Sequence, residues 1–272
     1  MLGLAAAVAW GAGDFGGGLA SRRAPLYGVI LISQFAGMLL SFAIGAALGE
    51  PLPAGRDLLV CAVAGLMGAA GVTMLYHALA VGRMGIVAPV TGVFAAVIPV
   101  VAGFATEGIP GPIVVAGIVV AIVAVVLVSR VADASNGRSG LPEALIAGTA
   151  IGLFGVAINQ LSDGNVFTAT GVIRLIQGVL VLAALLVTRS AWRTPPRIVP
   201  ALMFIGVLDA AGNACYLVAV QTGQLAIASV LSAMYPVTTV VLAMLFLREP
   251  ITRVHTLGIV LAGVAIALIA AG

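Results

Sequence analysis

Apolar residues in this chain run on in blocks of about twenty instead of alternating with polar ones, and the breaks between blocks carry Arg, Pro, Gly or acidic residues. In order the blocks are Met1 to Leu19, Tyr27 to Leu48, Leu58 to Ala80, Met84 to Ala105 and Gly111 to Val131, then Leu141 to Leu161, Ala169 to Thr188, Ile198 to Val220, Leu225 to Leu247 and Thr256 to Gly272. A helix needs about 20 apolar residues to cross a bilayer, so the pattern predicts ten membrane-spanning helices. A transmembrane barrel would show alternating stretches of about ten residues. Without that alternation, helices are the way to satisfy the backbone inside lipid. The connections are short. The longest, Ala132 to Gly140, is polar and divides the chain into residues 1–131 and 141–272, with 132–140 as the link.

The two halves read as copies. At a spacing of 141, Gly11 falls on Gly152, Gly65 on Gly206, Gly82 on Gly223 and Ile86 on Ile227. The strings Ala69-Ala70-Gly71 and Gly117-Ile118-Val119 recur at the same spacing as Ala210-Ala211-Gly212 and Gly258-Ile259-Val260. One ungapped offset running from the first block to the last outweighs chance matches in an Ala- and Gly-rich chain. Five helices per copy is an odd number, so the second copy must enter the membrane in the opposite sense to the first.

Charge tests that inference independently. Loops after odd-numbered blocks carry Arg22, Arg23, Arg83, Arg130, Arg138, Arg189, Arg193, Arg197, Arg248 and Arg253, whereas the opposite side has Arg56 alone. The excess predicts that the odd-loop side is cytoplasmic and both termini are outside. Composition then limits the function. Hydrophobic residues make up 62% of 272 and charged ones 8%, against about a quarter charged in soluble domains, and mean hydropathy is +1.25. A secreted enzyme and a large soluble domain are excluded. The pI of 9.3 reflects scattered Arg with no basic stripe, so nucleic acid is excluded as a partner. The chain has no Lys, and so no side-chain amine for a Schiff base. Cys61 and Cys215 form no spaced pair, His77 and His255 are far apart, and neither a cofactor nor a metal is expected. The N-terminus lacks a basic n-region and reads as a first span.

Inverted repeats with a site between them are a recurring plan of secondary transporters. The Trp10-Gly11 pair, the run from Ala219 to Pro236 and the closing Leu247-Arg248-Glu249 resemble the EamA-type permeases of the drug/metabolite transporter superfamily. That resemblance implies a multi-pass protein of a cell's inner (plasma) membrane. It also implies alternating access around a cavity lined by the first, third, fourth, sixth, eighth and ninth helices. The family is drawn with cytoplasmic termini, and the arginines here argue the reverse.

A charge at the bilayer centre costs roughly 2.5 to 3.5 kcal/mol on insertion scales, so each one needs a reason. Asp209 lies in mid-span with Asn213 at i+4 and Tyr216 at i+7 on one face. It reads as the ion-sensitive, proton- or cation-binding carboxylate of the pathway, with a structural partner of a neighbouring helix as the alternative and Asp14 as the next candidate. Asp14 shares a face with Trp10 and either lines the pathway or pairs with Arg22 or Arg23. Arg174, with Gln177 at i+3, could hold an anionic group or could snorkel outward and pair with Asp163. Gln34, Asn159 and Gln160 need partners in lipid. His77, beside Tyr76, could sense pH or be simply hydrogen-bonded. Pro89, Pro99 and Pro236 predict breaks in the fourth and ninth spans, near which Ser232 and Tyr235 could face a solute.

The expectation is an all-helical ten-span permease for a small organic metabolite or drug-like solute, proton coupling and a homodimer being left open. An intramembrane enzyme or a non-transporting scaffold is the alternative, though no nucleophile-base cluster favours an enzyme.

Overall fold

The computed structural model describes residues 1–103, 111–133, 139–158, 160–162, 164–221, 234–247 and 253–271. Ten α-helices and no strand are found among them: α1 (Leu2–Ser21), α2 (Leu26–Leu48), α3 (Arg56–Val81), α4 (Met84–Gly103), α5 (Pro112–Asp133), α6 (Leu141–Ile158), α7 (Val166–Thr188), α8 (Val199–Gln221), α9 (Tyr235–Leu242) and α10 (Arg253–Ala271). Five stretches are long and apolar enough to cross a membrane: α2, α3, α6, α7 and Pro196–Cys215, which takes in a short 3-10 turn before α8. Shorter apolar helical stretches lie in α4, α5, α9 with its following π-turn, and α10. Six glycines and Asp14 dilute the apolar character of α1.

Local chemistry sets several helix ends. Gly49 closes α2 in the left-handed region, φ 70°, where an L side chain is strained. Pro236 sits in the first turn of α9, where its missing N–H is not needed. The expected break in the fourth span is not found. The helix runs unbroken through Pro89 and Pro99, as proline can within a membrane bundle when neighbouring groups take up the freed carbonyls.

Packing repeats across the chain. Among the helix pairs that touch are α1 with α8 and α3 with α6, α2 with α8 and α3 with α7, and α1 with α9 and α4 with α6; α2 pairs with α7, α4 with α9 and α5 with α10. Exchanging the first five helices for the last five maps these pairs onto one another, whereas α1 with α3 and α4 with α10 touch without a comparable counterpart among the described residues. The correspondence reaches single residues. Gly71 is cleared for Ile151 and Gly212 for Trp10, and each member of one contact moves by 141 onto a member of the other. Small residues at such crossings let backbones approach closely, which is how membrane helices associate without a hydrophobic force between them.

The largest buried core gathers at one end of the bundle. Phe15, Val29, Ile30, Leu75, Leu79, Met84, Val87, Leu202 and Ile205 meet there, at the C-terminal parts of α1 and α3 and the N-terminal parts of α2, α4 and α8. This is the end whose loops hold Arg22, Arg23 and Arg83. The Arg22 guanidinium donates to the carbonyls of Leu79 (3.1 Å) and Gly82 (2.8 Å), fastening α1 to the end of α3.

Glycine clearance makes this packing testable. A side chain at Gly206 would overlap the Ser33 carbonyl where α8 crosses α2, whereas nothing lies within 4 Å of a Cβ at Gly178. Gly206→Val is expected to lower stability by about 1 to 3 kcal/mol and Gly178→Val by much less, read as thermal unfolding in detergent.

Candidate functional site

The lipid-facing side of α8 is marked by the exposed Met203, Phe204 and Val207. At about 100° per residue, Asp209 points almost directly away from Val207, into the bundle. Its side chain nonetheless keeps 44% of its exposure, so the space it faces is internal and accessible. Asp209 is the eleventh residue of α8 and Asp14 the thirteenth of α1, both well inside their helices.

The two helices are antiparallel neighbours, with Gly16 against Ile205 and Gly212 against Trp10. The register sets Asp14 opposite Asp209, and the two carboxylates lie within electrostatic range of each other. One rung along, the Trp10 indole Nε1 donates to Asn213 Oδ1 at 3.1 Å. Trp10 also meets Tyr235 of α9 edge to face, with centroids 6.4 Å apart and planes at 86°. The Tyr235 hydroxyl is buried and has no hydrogen-bond partner among the described residues. Tyr76 reaches in from α3 across the cleared face of Gly17 and lies within electrostatic range of Asp14, Asp209 and Arg174.

Arg174 anchors the opposite wall. It is 5% exposed and forms an ion pair with Asp209, while its Nη1 donates to Gln34 Oε1 at 3.0 Å. Gly37 leaves the room its guanidinium occupies, and Gly68 does the same for the buried Gln177. The outward-snorkelling reading of Arg174 is therefore corrected. The expected span began at Ala169, but α7 starts at Val166, which places Arg174 roughly 12 Å inside at 1.5 Å per residue. Glu50 holds that start in place: its Oε2 accepts from the backbone N–H groups of Phe167 (2.8 Å) and Thr168 (2.9 Å), an anion at a helix N-terminus. Asp57 likewise accepts from the Ser162 N–H (3.2 Å), the Ser162 hydroxyl (3.1 Å) and Asn165 Nδ2 (3.1 Å).

Of the residues singled out in the sequence, Trp10, Asp14, Gln34, Tyr76, Arg174, Gln177, Asp209, Asn213 and Tyr235 thus stand on helices that line one interior region. Gln160 does not. Because α6 ends at Ile158, Gln160 is exposed in the following turn and accepts a hydrogen bond from Arg56 at 3.0 Å. His77 is half-buried about 100° around α3 from Tyr76, and no interaction joins it to the cluster among the described residues. Asn159, Ser232 and the side chain of Tyr216 lie outside the described residues. Gln34 and Arg174 come from the second and seventh helices, which the expected cavity lining left out. Glu50 and Asp57 were missed as well. The signal for Glu50 was a carboxylate just past Gly49, able to meet any nearby helix start. No group of three or more His, Cys, Asp or Glu side chains placed to hold a metal occurs among the described residues.

The cluster predicts an asymmetric response to mutation. Removing the Asp209 charge leaves a buried Arg174 unmatched, so Asp209→Leu is expected to cost about 3 kcal/mol, most of it recovered when Arg174→Met is added. Thermal unfolding of the two single variants and the double variant measures this. Recovery of none of the loss would show that the pair is not coupled.

Residues 138–271 match the model of the EamA-like transporter family, which bears out the resemblance read from Ala219 to Pro236. No curated protein matches the chain. Among solved structures, the crystal structure of another protein superposes with a TM-score of 0.69 at 16% identity, covering 98% of this chain and 95% of that one. At that identity the likeness shows the fold alone. The family match over residues 138–271 and the apolar helices together point to an integral, multi-pass membrane protein.

Proposed function

We propose that the protein is a secondary permease. Two inverted five-helix repeats, residues 1–131 and 141–272 joined by 132–140, would carry a small organic solute through ten membrane spans by alternating access. One observation carries this reading: among the described residues, helix pairs related by the 141 spacing pack to different extents around a charged centre. At the arginine-bearing end α1 packs along α3, with Tyr76 on Gly17, Leu79 on Gly18 and Arg22 on the last carbonyls of α3. The copy of that contact would join α6 to α8 at the other end. Among the described residues those two helices do not pack comparably. An exchange of closure between α1/α3 and α6/α8 would turn the accessible space around Asp14 and Asp209 from one membrane face to the other.

The arrangement of charge supports the same reading. A membrane protein gains nothing in stability from an unmatched carboxylate at mid-depth, and such groups by default mark a solute or ion path. Asp209 already has Arg174 as its counter-charge. Asp14 is the group left to bind an exchangeable cation, the proton included.

Liposomes containing only this protein should accelerate exchange of at least one labelled solute from a metabolite panel. Folded protein that leaves every member of a broad panel at the leak rate would sink the permease reading. Orientation is tested separately in a background lacking Cys61 and Cys215. With the arginine-bearing end cytoplasmic, Ala54→Cys should react with an impermeant thiol reagent in intact cells and Ser190→Cys only after lysis. The opposite labelling pattern would reverse the orientation and leave the repeats untouched.

A further inference from the structure

Two carboxylates and one guanidinium face the interior cluster, and they are not equally available. Arg174 is 5% exposed, with Nη1 taken by Gln34 and Nη2 by Asp209. Its Nε is sealed from solvent and has no partner among the described residues. An anion entering this space would find the guanidinium fork already occupied and would meet two carboxylates. Asp14, by contrast, is only half-buried and forms no hydrogen bond or ion pair among the described residues; the like charge of Asp209 lies within electrostatic range of it. Aromatic groups stand beside it. Trp10 is one helical turn away on the same face of α1, and Tyr235 meets Trp10 edge to face with its hydroxyl buried and unpartnered. Tyr76 approaches from α3.

We infer that the solute carried by the proposed permease is an organic cation: its ammonium group pairs with Asp14, and its apolar body lies against Trp10 and Tyr235. The identification rests on the transport reading above and adds the chemical class to it. A positive charge is drawn to the faces of Trp and Tyr rings, and it relieves the repulsion between Asp14 and Asp209. The unpartnered Tyr235 hydroxyl offers an acceptor for one ammonium hydrogen. Discrimination against anions follows from the same geometry, because the carboxylate left unmatched repels them and the guanidinium that would bind them is spent.

Trp10 can report on its own site. The chain has two tryptophans, and Trp192 is exposed in the loop between α7 and α8, so Trp192→Phe leaves Trp10 as the single fluorophore. The probes share a phenyl group and differ in charge: phenethylamine, 2-phenylethanol, phenylacetate and phenylalanine. In nanodiscs at neutral pH, phenethylamine is expected to change Trp10 emission saturably, and the other three are expected to bind at least about tenfold more weakly. Asp14→Asn should weaken phenethylamine binding by about tenfold or more, whereas Asp14→Glu, which keeps the charge, should lose less. A saturable response to phenylacetate or phenylalanine at equal concentration would overturn the assignment. So would unchanged phenethylamine binding in Asp14→Asn, or no phenethylamine binding by fluorescence or calorimetry in protein whose thermal unfolding is normal.

Flux of the same compounds in liposomes separates this inference from the reading beneath it. Asp14-dependent phenethylamine binding without flux would leave the cation site standing and sink the permease. Phenylalanine flux that is indifferent to Asp14→Asn would do the reverse.

Discussion

A guanidinium held out of water in the middle of the bundle constrains much of what surrounds it. Arg174 cannot be left alone at that depth, because breaking a buried ion pair strands a charge at a cost of about 3 to 5 kcal/mol. Its partners come from different helices, Gln34 from α2 and Asp209 from α8, so one side chain on α7 specifies the mutual placement of three. Gly37 and Gly206 follow from this. The guanidinium and the α8 backbone both press against the same stretch of α2, where a Cβ at either glycine would collide. The ion pair thus acts as a positional lock, and the glycines clear the space it needs.

The same lock divides the labour between the two carboxylates. Coulomb repulsion between Asp14 and Asp209, facing each other on antiparallel helices, would make two ionised groups costly in a medium of low dielectric constant. Arg174 settles one of them in place. Under the transport reading, this leaves a structural carboxylate and an available one within a single site, and the functional charge can change partner without loosening the helices that hold it.

Much of this was legible in the residues. Block length and the absence of alternation gave helices, and the 141 spacing reappears in the packing, where Gly71 and Ile151 repeat as Gly212 and Trp10. The helical spacing from Trp10 to Asp14 and from Asp209 to Asn213 marked two faces that the fold turns toward each other. Pairing between helices was not legible. The outward-snorkelling alternative for Arg174 arose because the apolar pattern begins at Ala169, whereas α7 starts three residues earlier on hydrogen bonds to Glu50, a carboxylate more than a hundred positions away. Gln160 failed for the converse reason. Hydropathy continues to Leu161, but the backbone leaves the helix after Ile158, and local pattern carries no information about where Arg56 will stand.

Under the proposed inverted repeat, the duplication also raises a question of energy. Two identical copies would make the outward- and inward-open arrangements mirror each other and lie at equal free energy, with neither favoured at rest. Here the copies differ where charge is concentrated. The positions 141 residues from Arg174 and Asp209 are Ser33 and Gly68; Ser33 spends its hydroxyl on the Ile30 carbonyl of its own helix, and Gly68 only makes room for Gln177. The ion pair therefore belongs to one copy, while Asp14 and Trp10 belong to the other. Each half contributes a different chemistry to a shared centre, so under the transport reading a solute bound there would touch both halves and sense their relative movement. Under the transport reading, a closed α1/α3 end beside α6 and α8, which do not pack comparably among the described residues, is what such broken degeneracy would produce, with one resting arrangement preferred and a bound solute able to change that preference.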